Sequence, residues 1–221
     1  MLIDTLSHVR MLRYGMKYYW TPATSFSIFP PRPLARLTAS KRSPAKTLSY
    51  WLRPHTSKTR LPIVYIHGIG VGLHPNVEFL HELDQALSAD SDGKPDDQVG
   101  ILSIEIMQIS SRLTHAISTR PEFLAELTKI LDAHDFRRFV LLSHSYGSVL
   151  STNVLTDDVL AARVAATFFV DPVTIMLHMP AVAYNFTIRQ PRHANEWQLW
   201  YFASKDPGKE EPLSTRGSWS V

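Results

Sequence analysis

The sequence predicts an α/β domain in which helices cover both faces of a mainly parallel sheet. Three observations lead there. Short aliphatic runs alternate along the chain with segments whose apolar residues recur at helical spacing. The run Phe139-Val-Leu-Leu-Ser-His-Ser145-Tyr-Gly-Ser-Val-Leu150 breaks at Ser143-His144-Ser145-Tyr146-Gly147, between a strand pattern and a helix pattern, so a tight turn joins the two. Upstream, the strand-like run Leu61 to Ile66 ends in His67-Gly68-Ile69-Gly70-Val71-Gly72, where glycines permit backbone conformations closed to other residues and close approach to a ligand. With 221 residues at 44% hydrophobic, the chain has enough apolar material for one such domain rather than two.

Each element has its own signal. Leu12, Met16, Tyr19 and Trp20 share a helical face among basic residues, which fits an interfacial helix or one packed on the domain. Thr21 to Pro33 holds four prolines and reads as a linker. Residues 1–33 are therefore expected as a basic, aromatic segment outside the domain, with the domain proper at 34–206 and a polar tail at 207–221. Leu48-Ser-Tyr-Trp-Leu52 suggests an edge or hairpin strand. Phe79, Leu80, Leu83 and Leu87 form an amphipathic helical face after Asn76. Ile-rich Val99 to Met107 reads as a buried strand, within which Glu105 is expected to be hydrogen-bonded or at the rim, because buried charges are paired. Thr119 and Glu122 make a capping box with Pro121 in the first turn, and Phe123, Leu124, Leu127, Ile130 and Leu131 give that helix its apolar face. Val164 to Val170 is a further apolar strand, ending in Asp171-Pro172. Residues 174–201 are rich in aromatic and aliphatic side chains and fit either a helical lid over an apolar pocket or a packed helical insertion.

Composition excludes several chemistries. With no cysteine there is no disulfide or thiolate chemistry, and the histidines and carboxylates show no metal-binding spacing, so neither metal nor other cofactor is expected. The net charge is only +3, yet no acid occurs between Asp4 and Glu78 while eleven basic residues do. That acid-poor stretch fits a solvated arm, an organelle-targeting sequence or a patch attracted to anionic lipid at a membrane surface. Nucleic acid is not expected as a partner, because no recognisable binding module accompanies the charge. No uninterrupted apolar run reaches transmembrane length. An intracellular location is favoured, and oligomeric state leaves no trace in the sequence.

Ser145 on the turn and the His67-Gly68-Ile69-Gly70 loop together supply a nucleophile and an oxyanion site. A serine hydroxyl needs a base and donors for the developing anion, and the candidate donors are the N–H groups of Tyr146 and of Ile69 or Gly70. On these motifs the chain resembles the α/β-hydrolase superfamily, and more narrowly fungal-type α/β-hydrolase-1 domain proteins, from about Leu61 to Asp206. Val170-Asp171-Pro172-Val173 and Ala194-Asn-Glu-Trp-Gln-Leu-Trp-Tyr-Phe-Ala203 resemble the narrower group. The superfamily elbow Gly-x-Ser-x-Gly has Ser143 in place of its first glycine, a position that requires a small side chain. The resemblance implies a three-layer sandwich and an order of serine, acid and histidine. No histidine follows His193, so the resemblance also implies a C-terminally incomplete version of that fold, with an exposed sheet edge. Asp171 is the candidate acid or a structural turn residue. His178 and His193 are the remaining candidates for the base, while His67 and Gly68 are expected to support the oxyanion loop. The expected function is serine hydrolysis of an ester or related acyl substrate of apolar character. The rival expectation is an inactive or impaired hydrolase-like protein that binds an apolar ligand, a partner or a membrane surface.

Overall fold

The structure, a computed structural model, describes residues 2–39, 41–89, 97–114, 116–175 and 179–200. Among them seven strands form one sheet: β1 (Lys17–Trp20), β2 (Lys41–Arg42), β3 (Ser49–Arg53), β4 (Ile63–Ile66), β5 (Ile101–Glu105), β6 (Phe139–His144) and β7 (Val164–Val170), in the spatial order β2-β1-β3-β5-β4-β6-β7. Four pairings are parallel, and the two made by β3, to β1 and β5, are antiparallel. Two reversals cancel, so β1 runs in the same direction as β4, β5 and β6. The carboxyl ends of these strands therefore share one edge of the sheet.

Helices α1 (Leu2–Arg13) and α4 (Val77–Ala89) lie on one face, and α5 (Arg120–Ala133) and α6 (Gly147–Leu155) on the other. Side-chain alternation along each strand feeds the two cores. Val64, Ile66, Leu102, Ile104, Phe139 and Leu141 pack with Leu127, Ile130, Leu131 and Leu150. Ile63, Tyr65, Ile101 and Leu142 pack with Met11, Val77 and Leu80. Shorter helices complete the described chain: α2 (Pro22–Ser25), α3 (Pro33–Leu37), α7 (Asp158–Ala161), α8 (Pro180–Thr187) and α9 (Ala194–Leu199). The expected capping box is present at the start of α5. The segment expected as a lid contributes α8 and α9, with Ile175, Met179, Tyr184, Ile188 and Trp197 exposed. The polar tail expected at 207–221 lies outside the described residues.

The N-terminal segment differs from expectation. Residues 17–20 are paired on both sides, with β2 and with β3, and Tyr18 is fully buried, so the sheet begins well before residue 34. The proline-rich stretch that follows is pinned by Arg32. Its guanidinium is buried and bonds both Glu105 oxygens at 2.9 and 3.0 Å, the Tyr18 hydroxyl at 3.1 Å and Asp4 at 3.1 Å. Ser49 and the Trp51 indole donate to the same carboxylate, at 2.8 and 3.3 Å. Glu105 is therefore the paired, buried carboxylate that its strand position suggested. Nor does all the N-terminal positive charge stand free. Arg10 pairs with Glu78, Arg53 with Asp84 and Arg60 with Asp97, all acids from downstream.

Burial alone would push the Glu105 carboxyl up. The adjacent Arg32 charge overrides it, together with hydrogen bonds from Arg32, Ser49 and Tyr18, and holds the group at about 2 against an ordinary 4.5. The unfolded chain then binds more protons than the folded one in this range. Stabilisation from the pair is complete above 4.5 and is lost as pH falls towards 2. Two outcomes are expected. The thermal midpoint should drop across that acid interval, with a shallower slope in Glu105→Gln. The substitution should also cost about 3 kcal/mol in urea unfolding, the low end for breaking a buried pair, because Asp4 still faces Arg32. Equal acid slopes in both proteins would refute the assignment.

Candidate active site

The site is built where β6 turns into α6. Ser145 has φ 52°, a left-handed conformation that costs an L-residue about 1–2 kcal/mol and persists only when its surroundings impose it. Here the Ser145 N–H donates to the Val170 carbonyl at 2.9 Å, prolonging the β6–β7 ladder by one residue. Its carbonyl accepts from the Ser148 N–H at 3.0 Å and the Ser148 hydroxyl at 2.7 Å. Ser148 is itself tied to the chain beyond β7, since the Thr174 hydroxyl lies 2.6 Å from its oxygen. Ser143 is fully buried, which accounts for the small residue required there.

Two glycines show how tightly the turn is set. A Cβ at Gly147 would lie 2.4 Å from the Ile66 carbonyl oxygen and 2.9 Å from that of His67. One at Gly68 would lie 2.7 Å from the Ser145 Cβ and 3.3 Å from His144 Nδ1. The elbow and the loop after β4 therefore touch backbone to backbone, beside the serine.

His67 holds that loop from within. Its Nε2 accepts the Ile106 N–H at 3.0 Å, so Nδ1 carries the proton and donates to the Gly68 carbonyl at 2.7 Å. It is buried and engaged at both nitrogens. Gly70 departs from expectation as an oxyanion donor: its N–H is spent on the Ile109 carbonyl at 3.0 Å, and its own carbonyl accepts from the Ser111 hydroxyl at 2.7 Å. The Ile69 and Tyr146 N–H groups donate to no other described group. Those two remain as candidate donors.

The other predicted residues are less closely gathered. Asp171, with φ 46°, follows the residue whose carbonyl receives the Ser145 N–H, and it is exposed. His193 is exposed at the amino end of α9, where its backbone N–H donates to Glu196 at 3.2 Å. His178 lies outside the described residues. Among the described residues no side chain hydrogen-bonds the Ser145 hydroxyl.

Sequence reasoning missed the groups that lock the two loops in place. Ile109 and Ser111 come from the turn after β5, and Thr174 from beyond β7. Ser148, three residues after Ser145 on the same helical face, was the one with a readable signal. A cavity of about 220 Å³ lies alongside, lined on one wall by Val71, Gly72 and Leu73 of the same loop and on another by Met107, Ser110 and Arg112. Ser145 is not among the residues that line it.

Gly147→Ala tests the packing. Because the obstacle is backbone, the methyl is expected to cost about 1–3 kcal/mol and to lower the thermal midpoint. An unchanged midpoint would mean that the elbow is looser than the contacts imply.

No family model matches this sequence, and no curated protein matches it. Solved structures do. The naproxen esterase of Bacillus subtilis is 12% identical over 94% of this chain and 57% of its own, with a TM-score of 0.48. The carboxylesterase CesB of Bacillus subtilis is 11% identical over 92% and 68%, with a TM-score of 0.47. A candidate lipase of Acinetobacter baumannii is 11% identical over 89% and 57%, with a TM-score of 0.50. The chain thus spans little more than half the length of two of these proteins. At such identities the likeness speaks for architecture alone. Together with the strand order, the likeness to the last of these gives the chain an α/β-hydrolase-like sandwich fold.

Proposed function

We propose that the chain is a serine hydrolase of α/β-hydrolase type acting on an ester or related acyl substrate of apolar character, with Ser145 as nucleophile. The observation that carries this reading is the Ser145 backbone. Its left-handed φ places it on a tight turn between a strand and a helix, and that turn is packed against the glycine loop after β4. Its hydroxyl attacks the substrate carbonyl, and the oxygen that gains charge is received by the Tyr146 and Ile69 N–H groups. The Tyr146 donor gains further from the amino end of α6. Collapse of the tetrahedral adduct expels the alcohol and leaves an acyl-serine, which water then hydrolyses.

One observation favours the second reading, a hydrolase-like protein that binds without turnover. The hydroxyl has no described base, and a serine without one is a weak nucleophile.

A fluorophosphonate probe separates the two readings. The folded wild type is expected to be labelled on the peptide containing Ser145, and Ser145→Ala to lose the label. Turnover of a medium-chain p-nitrophenyl ester should accompany labelling in an enzyme. Labelling without turnover would favour the binding protein, and a folded chain that resists the probe would remove Ser145 as nucleophile.

A further inference from the structure

We infer that the carboxyl edge of the sheet carries a docking face for an anionic lipid surface, formed by Phe26, Phe29 and Leu113 with Arg36 and Arg42 beside them. The inference rests in part on the acyl-hydrolase reading, which makes a lipid the natural substrate source. Its structural basis is independent of Ser145.

The three apolar side chains are 58%, 65% and 73% exposed, in that order. Isolated exposed apolar residues are ordinary, but a group of large ones held on one face marks an interaction site. These are held rigidly. Phe29 and Leu113 exchange two backbone hydrogen bonds, at 2.9 and 3.1 Å, so their side chains stand next to each other although 84 positions separate them. Arg112 clamps the pair from behind, donating to the Pro30 carbonyl at 2.9 Å and to Asp4 at 2.8 Å. Phe26 meets Trp20 edge to face, with centroids 6.5 Å apart, and the Arg36 guanidinium lies 4.4 Å from the centre of the same indole.

Their place follows from topology. β1 is parallel to β4 and β6, so the chain that leaves Trp20 starts out at the edge where Ser145 and the oxyanion loop also emerge, and Phe26 and Phe29 lie on that stretch. Leu113 follows β5 at that edge too, two residues after the Ser111 that bonds the Gly70 carbonyl. The docking face and the site therefore point the same way.

Charge selects the occupant. Lys41 and Arg42 pair in register with Tyr19 and Trp20 and are exposed, as is Arg36. The carboxylates nearest this face are already used: Asp4 by Arg32 and Arg112, Glu105 by Arg32. What remains is basic and apolar together, on separate protruding side chains. A fluid anionic bilayer accepts that arrangement without a shape-matched partner.

The absence of cysteine allows a clean test. An environment-sensitive nitrobenzoxadiazole dye would be placed at Phe26→Cys or Leu113→Cys, and, as control, at Val159→Cys. Val159 is equally exposed but sits in α7, before β7 and thus at the opposite edge. With phosphatidylglycerol vesicles the first two labels are expected to brighten and shift to the blue, and the third to stay unchanged. Vesicle co-sedimentation of the unlabelled full chain should weaken at least tenfold in Phe29→Ser/Leu113→Ser and in Arg36→Glu/Arg42→Glu, with unchanged thermal midpoints. Phosphatidylcholine vesicles should bind weakly. Three results would overturn the inference: equal response at Val159, no partition into anionic vesicles, or full partition of both double variants. The series is repeated on Ser145→Ala, which is expected to dock as well as wild type. A failure of the hydrolase reading is thereby distinguished from a failure of docking.

Discussion

At the boundary between β4 and α6, two backbones approach until there is room for a hydrogen and none for a methyl. The first turn of α6 rests on the Ile66 and His67 carbonyls through Gly147, and the loop after β4 rests on Ser145 through Gly68. Parallel register makes this contact inevitable. Ile66 stands opposite Ser143, so the chains leave the sheet side by side, His67 level with His144 and Gly68 with Ser145. Neither path can widen without breaking the ladder, and the strain appears as the left-handed φ of the serine. The free N–H groups of Ile69 and Tyr146 are by-products of the same geometry, since both follow a residue held in that contact.

A second constraint places the rest of the carboxyl edge. Arg32 reaches into the sheet from a segment with no regular strand of its own, and its hydrogen bonds to Glu105 fix Pro30 to Pro33 over the end of β5. Replacing water around two buried charges is costly, and the pair repays that cost only because Ser49, Trp51, Tyr18 and Asp4 complete its hydrogen bonding. This is what proline counting could not reveal. Four prolines in thirteen residues do argue against a helix or central strand, and residues 21–33 indeed make only one short helix. They do not argue against close packing, since an irregular segment can be held by one side chain that finds its partner 73 positions away.

The elements with periodic signals were legible: β4, β5, β6, α4, α5 and α6 all lie where hydrophobic spacing placed them, within a few residues. So was the relation between elbow and loop, because it depends on glycines with a steric reason. Residues that act through distant partners were not. Gly70 looked equivalent to Ile69 as a donor until the Ile109 carbonyl claimed its N–H, and nothing near position 70 in sequence announces position 109. The basic N-terminal stretch misled for the same reason, since several of its arginines find acids that enter the chain much later. Local sequence reports which face of an element is apolar. Which partner satisfies a polar group is settled by topology.

The two ends of the sheet differ in a way that bears on Ser145. At one end β2 is two residues long, with Lys41 and Arg42 exposed, a short charged edge that resists pairing. At the other, β7 is seven residues without a charge, and Phe168, Phe169 and Val170 are exposed although their continuous apolar run reads as a buried strand. Among the described residues nothing covers them. Yet Val170 supplies the carbonyl that holds the Ser145 N–H, and Thr174, just beyond, holds Ser148. The strained serine therefore draws part of its support from an edge strand with exposed apolar residues. An edge strand frays more readily than a central one because its backbone bonds are open to water on one side. Fraying of β7 at Val170 would release the bond that keeps Ser145 in register with the sheet, so the order of the elbow depends on whatever shields the outer faces of this strand.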